Sequence, residues 1–454
     1  MIPVYPSRFA KLATCSLKQW ALDFAGNKQR IMESIQTAKS QGCTIRLGPE
    51  LEITGYNCED HFLEIDTVNH SWEILADILA SDLTNDILCS LGMPLIHEDT
   101  LYNCTMLVLN KKILLIKPKM SLSDNGNYRE GRYFSSWSPS KGELEEFFLP
   151  EIIQKISGQK TAPIGNGIIQ AKDTEIGLES YEELWQPNPP SIQMGLEGVE
   201  IFLNNSAIHH QLREIDTRIR VLTEATQKNG GVYLYANQSG CDGGRLYFDG
   251  ACMITMNGDL YKIGSQFSLK ETEVITCIVD LNSITSKRIS FKSRSLHTQK
   301  CKRIPKIVID FRVAKINDIK NEEIPTALLL KDVVPCFEEE IAKGPACYLY
   351  DYLRRSGASG FFLPLSGGAD SAAVAAVVYN MGLLIYGGVK NNVQCIINGV
   401  REIVKDETFL PTSPQEIIGK IFFTCYMGTT NNSSDTKTRA QNLVKEIGNF
   451  FFKF

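Results

Sequence analysis

The hydrophobic pattern opens with a strand over Lys11 to Ser16 and an amphipathic helix over Asn27 to Gln41. A second strand, Cys43 to Leu47, delivers Pro49-Glu50 at its end, which makes a βαβ start. Asp86 to Pro94 predicts another strand. Leu101 to Leu109, the polar Asn110-Lys111-Lys112 and Ile113 to Ile116 predict a hairpin. Leu212 to Lys228 predicts a helix stopped by Gly230-Gly231. Val232 to Ala236 and Leu246 to Thr255 predict strands, with a turn at Asn257-Gly258-Asp259. Hairpins mixed with a βαβ unit point to an α/β sandwich rather than a purely parallel sheet.

Further on, Phe361-Phe362-Leu363 is short, apolar and aromatic, as a buried strand is. Ser366-Gly367-Gly368-Ala369-Asp370-Ser371 follows, and then an Ala-rich run from Ser371 to Val378 that opens a helix. Two glycines let the backbone turn tightly and approach a ligand. A strand, a Gly-Gly turn, hydroxyls and a helix N-terminus together make an anion site. The loop is not a Walker A sequence, because no Gly-Lys-Ser/Thr follows the glycines, and it is not the dinucleotide fingerprint. The plain alternative is an ordinary strand-to-helix turn. Ala372 to Val389 is almost wholly apolar and approaches membrane-span length. Gly382, Gly387 and Gly388 interrupt it, so it is read as a buried helix plus a following element, with no membrane partner.

At 454 residues the chain is long enough for two or more domains. Its 43% hydrophobic and 22% charged residues are those of a globular protein. A net charge of −5 argues against a general nucleic-acid binder. The 13 cysteines contain no Cys-x-x-Cys pair, so neither a disulfide framework nor a zinc site is suggested, and a reducing cytoplasm fits. Arg8, Lys11 and Lys18 interrupt the N-terminal apolar residues, which leaves no signal-peptide core.

Leu281 to Ile309 carries eight basic residues and no acidic one. The default reading is a solvated arm or linker; the sharper one is a surface that meets an acidic partner or a phosphate-bearing ligand. The expected domains are therefore 1–275, a basic arm over 276–325, and 326–454.

Glu50, Lys119 and Glu130 have the character that amide hydrolysis through a thioester needs: a base, a cationic stabiliser and a second carboxylate. Singly, each is ordinary, because strand-end Glu and Lys side chains are usually solvated. As an ordered set they resemble the nitrilase superfamily, which uses a Glu–Lys–Cys triad. The resemblance then narrows. Gly48-Pro49-Glu50-Leu51-Glu52-Ile53-Thr54-Gly55-Tyr56, Asn125-Gly126-Asn127-Tyr128-Arg129-Glu130, Glu182-Glu183-Leu184-Trp185 and Tyr235-Ala236-Asn237-Gln238-Ser239-Gly240-Cys241-Asp242-Gly243 are similar to the glutamine-dependent NAD synthetase family of eukaryotes. So are Gly264 to Leu269, Glu338 to Cys347 and Leu363 to Ser371, in the same order throughout.

The resemblance implies a nitrilase-like αββα sandwich followed by a partial Rossmann-like pyrophosphate-loop ATPase domain. It implies that the first domain hydrolyses glutamine and that a tunnel passes ammonia to the second. There ATP, with Mg²⁺, adenylates the carboxylate of nicotinic acid adenine dinucleotide, and ammonia displaces AMP to give NAD. By position Glu50 matches the glutaminase base, Lys119 the oxyanion-stabilising lysine and Glu130 a supporting carboxylate. Pro364, Leu365, Ser366, Gly367, Gly368, Ala369, Asp370 and Ser371 match the ATP loop. Ser366 and Asp370 are its polar contacts, and Ser366 counts among the catalytic residues. No metal ligand is assigned. Homo-oligomers are implied, with only small molecules as other partners.

Two departures stand out. The family's cysteine nucleophile precedes Glu-Glu-Leu; here Tyr181 stands in that place, with Glu182 after it as a supporting residue. A phenol with pKa around 10 is mostly protonated at neutral pH and fills space an amide would need. Ser180 would point to the opposite face of its strand, and Cys241 and Cys252 have no claim from spacing. The expectation is that the chain does not hydrolyse glutamine. Smaller changes at Ala207-Ile208 and Gly244 agree with a relaxed site, and His209-His210 reads as a structural pair. The second departure is that the match ends after Gly448, before Asn449 to Phe454, which reads as a truncated form. The competing reading is a non-catalytic relative that binds nucleotide or assembles with an intact copy.

Overall fold

The computed structural model describes residues 7–138, 144–241, 245–316, 325–427, 434–448 and 450–453. Asp242, Gly243, Gly244, Asn449 and Phe454, named above, lie outside them. The chain divides into two compact units. The first is Met1–Gly244, Phe248–Gln266 and Thr272–Val334; the second is Arg245–Tyr247, Phe267–Glu271 and Pro335–Phe454.

The first unit is built on β1 (Phe9–Leu17), β2 (Ile45–Leu47), β3 (Leu88–His97), β4 (Thr100–Leu109), β5 (Lys112–Pro118), β6 (Glu145–Phe148), β7 (Thr161–Ile164) and β8 (Ile168–Gln170). It continues with β9 (Glu175–Ser180), β10 (Ile201–Ser206), β11 (Val232–Cys241), β12 (Tyr247–Asp249), β13 (Met253–Met256), β14 (Asp259–Ile263), β15 (Thr272–Asp280) and β16 (Lys306–Val308). The order is β16-β8-β9-β10-β11-β1-β2-β3-β4-β5-β7-β6, with β12 and β13 on β11, β14 on β13 and β15 on β1. Parallel pairs such as β1–β2 and β10–β11 alternate with antiparallel ones such as β3–β4 and β1–β15.

This sheet doubles back on itself. β1 meets β11 only at Ser16–Asn237 and Leu17–Gln238, so its two halves face each other. Strand periodicity sorts the side chains between two cores. Leu12, Ile45, Leu47 and Leu107 meet Leu178, Ile201, Leu203 and Leu234 between the halves. Cys15, Leu17, Cys89 and Leu91 point the other way, onto Ile31 and Ile35 of helix Phe24–Ser40 and Leu75 and Leu79 of helix Ile65–Ala80. Helices Pro190–Glu197 and Glu214–Asn229 cover the outer face of the second half. Helix, sheet, sheet and helix stack in the expected αββα sandwich.

The basic stretch is not a solvated arm. Residues up to Asp280 belong to β15, paired with β1 along its whole length, and helix Leu281–Ser290 follows directly on an Asp280 side-chain cap. Arg288 donates to the carbonyls of Gly198 (3.1 Å), Asn229 (3.1 Å) and Gly230 (2.8 Å), and Lys306 pairs with Glu175 at 2.6 Å. Arg288 and Lys306 thus satisfy helix and strand ends far away in sequence, and the first unit runs on to Val334. The strand expected over Leu246 to Thr255 is likewise two strands, broken at Gly250, whose φ of +71° turns the chain.

In the second unit β17 (Phe361–Pro364), β18 (Phe422–Tyr426) and β19 (Phe450–Lys453) form a parallel sheet in that order. The aromatic tail past Gly448 is therefore a strand in register with β18 (Phe423–Phe450 to Tyr426–Lys453). Ala346, Tyr350, Ala375, Val378, Ile385, Ile396, Ile417 and Phe422 fill the core. Tyr247 stacks on Phe267 at 6.3 Å within this unit, and Glu271 is ion-paired to Arg354.

Ala369–Lys390 is one helix of 22 residues, not a helix and a second element. Its glycines are packing sites rather than breaks. A Cβ at Gly382 would lie 2.9 Å from Ile418 Cδ1, and one at Gly388 would collide with Ile396. Glycine costs about 1 kcal/mol in a helix, and here it lets neighbouring helices come close. Among the described residues this is the one helix long and apolar enough to cross a membrane, by length and composition alone.

Candidate functional site

The first site is assembled from strand ends of the first unit. Arg46 of β2 and Glu52 beyond it make a fully buried bidentate pair (2.7 and 2.8 Å), and Gly48 N donates to Ser90 Oγ at 3.0 Å. That brace holds the turn on which Glu50 sits, and Glu50 N donates to the Ser206 carbonyl at 3.3 Å. Lys119 follows β5, with its N–H on the Asn103 carbonyl (2.8 Å). Its ammonium donates to Glu50 Oε1 at 2.6 Å and Glu130 Oε1 at 2.8 Å. Asn103 Nδ2 donates to Glu50 Oε1 at 2.7 Å, Ser123 N to Glu130 Oε2 at 2.8 Å, and Tyr56 OH to Glu130 Oε1. Sequence reasoning singled out Glu50, Lys119 and Glu130, and the fold brings all three together. It left Asn103, Tyr56 and Ser123 unassigned, although Tyr56 lies inside a quoted motif.

Electrostatics divide these groups. Burial pushes the Glu50 carboxyl up to about 7, with Glu130 adding to the shift and Lys119 opposing it. Burial also opposes charge on Lys119, but Glu130 and Glu50 outweigh it and hold the ammonium above its usual range. Glu50 Oε1 is occupied, while Oε2 is buried without a hydrogen-bond partner. A carboxylate titrating near neutrality with one free oxygen has the makings of a general base.

Tyr181 stands at a sharp elbow after β9, with φ +28° and ψ −91°. Few L-residues adopt that conformation, and it persists because its surroundings fix it. Tyr181 N donates to the Asn205 carbonyl at 3.1 Å, and helix Glu182–Trp185 starts at once. Glu183, fully buried, accepts from Ser180 N (2.9 Å) and Met120 N (2.5 Å) and so ties the elbow to the Lys119 strand. This brace was missed in the sequence, where Glu182 drew attention instead. Glu182 is only half-buried and accepts from Gln186 Nε2 at 3.3 Å.

Lys119 Nζ lies 5.2 Å from the Tyr181 ring centroid, and the Tyr128 ring is 5.3 Å from it. Burial raises the Tyr181 phenol to about 12. The strand-end frame therefore holds a base and a cation around a group that does not ionise near neutrality. Ser180 Oγ turns away to Asn205 Oδ1 at 2.9 Å. Cys252 is buried, and burial followed by Glu273 pushes its thiol well up. Cys241 is buried as well. His209 stacks on Tyr128 at 5.1 Å and its N–H donates to Tyr128 OH at 3.0 Å, which gives it a packing role.

The second site is the loop between β17 and helix Ala369–Lys390. Leu365 is buried and its N–H donates to the Cys425 carbonyl at 2.7 Å, which anchors the loop on β18. Ser366 Oγ accepts from Gly368 N at 3.2 Å and lies 3.1 Å from Ser371 Oγ. Gly367 has φ +80°, and a Cβ there would collide with the Thr436 carbonyl. Helix Ser434–Ile447 thus begins against the same loop, so two helix N-termini meet at the end of a parallel sheet. Pro364, Ser366, Gly368, Ala369 and Asp370 are exposed around it.

A folded-over sheet, helices on both outer faces and a Glu–Lys–Glu cluster beside a strand-to-helix elbow define a carbon-nitrogen hydrolase frame. The carbon-nitrogen hydrolase family model matches residues 11–289, and the chain belongs to that family. It is also similar along almost its whole length to larger proteins. It is 47% identical to glutamine-dependent NAD(+) synthetase of Mus musculus over 443 residues, which cover 98% of this chain and 61% of that protein. Identity to the Dictyostelium discoideum protein of the same name is 50% over 439 residues, covering 96% of this chain and 61% of the relative. The chain thus spans about 61% of the length of these relatives. The crystal structure of a glutamine-dependent NAD(+) synthetase from Cytophaga hutchinsonii superposes with a TM-score of 0.76 at 24% identity, covering 98% of this chain and 65% of that one. At that identity the likeness establishes the fold.

Proposed function

We propose that this protein is an ATP-dependent amide ligase of the NAD synthetase kind, which uses ammonia from solution because its own amidase domain is silent. The observation that carries the reading is the position of the loop Ser366–Ser371 where two helix N-termini meet, an arrangement that supports a pyrophosphate cradle. Similarity to glutamine-dependent NAD(+) synthetases over 96–98% of the chain supports the same owner for that loop. A related synthetase from Acinetobacter baumannii was solved in complex with ADP, which supports adenine nucleotide as the ligand.

Under this reading the acceptor is nicotinic acid adenine dinucleotide. Its carboxylate needs activation, because hydroxide is a poor leaving group. Transfer of AMP from ATP to the carboxylate releases pyrophosphate, and ammonia then displaces AMP to form the amide. Loop N–H groups and the Ser366 and Ser371 hydroxyls bind and orient the phosphates. Asp370, exposed in the first helical turn, is the carboxylate available to a Mg²⁺ that would neutralise phosphate charge. The expected setting is the cytoplasm, and homo-oligomers are expected from the resemblance.

The test supplies ATP, Mg²⁺ and the deamido dinucleotide with either ammonium or glutamine. NAD formation with ammonium alone is expected. Formation with glutamine at an equal rate, or no ATP affinity at all, overturns the reading.

A further inference from the structure

The basic stretch of the first unit sorts into two sets. Lys287, Arg288, Arg294 and Lys306 turn inward, onto the carbonyls of Asn257, Gly198, Asn229, Gly230 and Gly195 and the Glu175 carboxylate. Arg303 lies 3.4 Å from Glu197 Oε2. Lys292, Lys300 and Lys302 remain exposed. Between them stand Ile289 (72% exposed), Phe291 (47%) and Leu296 (61%) on and between helices Leu281–Ser290 and Arg294–Lys300.

Large apolar side chains exposed to this degree stand in solvent, and exposed lysines flank them along the chain. The acids that touch the stretch are already matched: Glu175 pairs with Lys306, Glu197 with Arg303 and Glu200 with Arg8, while Asp280 caps a helix and Asp310 pairs with Lys172. A twofold contact through this patch would set its lysines against the same lysines of a second copy, which opposes self-association there. A soft, negatively charged, apolar-cored surface suits it: the apolar tips enter the headgroup layer while the ammonium groups stay with the phosphates.

We propose that Ile289, Phe291 and Leu296, flanked by Lys292, Lys300 and Lys302, dock the protein reversibly on an anionic lipid bilayer. The proposal is independent of the ligase reading, because it uses no residue of either candidate site. Arg288 and Arg294, on the two helices that carry the patch, anchor them to the carbonyls of Gly198, Asn229, Gly230 and Gly195.

The experiment is co-sedimentation of the full chain with vesicles of phosphatidylcholine alone and of phosphatidylcholine with about a quarter phosphatidylserine. Binding only to the anionic vesicles, weakened as salt is raised, is expected. Each lysine near the surface contributes roughly fivefold, so Lys292→Glu/Lys300→Glu/Lys302→Glu should lower binding by more than a hundredfold. Phe291→Ala should lower it about tenfold. Lys155→Glu, an exposed reversal elsewhere, should leave it unchanged.

Equal binding to neutral vesicles, no binding at low salt, or binding unaffected by the triple reversal overturns the proposal. Concentration-dependent self-association of the chain that Phe291→Ala abolishes would assign the patch to a second copy instead and would equally overturn it. Sedimentation velocity on the same samples reads that outcome directly.

Discussion

Lys119 Nζ points at Tyr181, 5.2 Å from the ring centroid, while it holds Glu50 at 2.6 Å. The cation and base of an amidase are thus present, aimed at an elbow whose side chain is a buried phenol. On the reading proposed above, what is missing there is a nucleophile rather than a frame. An ionisable group at that elbow would feel Lys119 directly, which a phenol raised to about 12 cannot exploit.

Tyr181→Cys should therefore create activity. A thiol ionises far more readily than this phenol and is stabilised by the adjacent ammonium. Glutamate release from glutamine should rise from background to at least tenfold above it, and adding Glu50→Gln should return it to background. A folded variant without release would show that the frame itself has decayed.

Glu50 also predicts a pH dependence of stability. Its carboxyl is raised in the folded chain from an ordinary value of 4.5 to about 7, so the folded state binds more protons between those values. The sign follows from linkage: stability present at pH 4.5 is lost as pH rises through about 7. Urea unfolding of Glu50→Gln at pH 5 and pH 8 should show the variant gaining on the parent at the higher pH. A difference independent of pH would contradict the assignment.

The buried Arg46–Glu52 pair predicts an asymmetry. Glu52→Gln or Arg46→Met leaves a charge unpaired away from water and should cost about 3–5 kcal/mol of stability. Arg46→Met/Glu52→Leu together should cost much less than the sum. Chemical denaturation of the three variants checks this, and additive losses would argue against it.

At the second site Gly367→Ala is strained both by its positive φ and by the Thr436 carbonyl. Nucleotide affinity, measured by calorimetry, should fall at least tenfold, and the melting temperature should fall as well, because the same collision strains the folded unit. Ser366→Ala should show a milder loss of the same kind, since it removes one hydroxyl and keeps the backbone.

Local pattern revealed part of this fold. The first strand and helix, the β4–β5 hairpin and the strand–loop–helix at Phe361 to Val378 carry their periodicity in short windows. The basic stretch did not, because Arg288 is satisfied by the carbonyls of Gly198, Asn229 and Gly230, which composition cannot pair with it. Gly382 and Gly388 looked like breaks because their partners, Ile418 and Ile396, belong to later helices. Glu50, Lys119 and Glu130 were singled out through family resemblance; no spacing rule joins residues on three separate loops. Glu183 and Asn103 were passed over, since a buried brace and a solvated side chain look alike in one sequence.

The most direct test of the proposal that the amidase domain is silent is glutamate release by the unmodified chain. With millimolar glutamine and a thiol-free buffer, the account predicts no release above a protein-free control. Release that Glu50→Gln or Lys119→Ala abolishes would contradict it, because the frame would then be working without a cysteine at position 181.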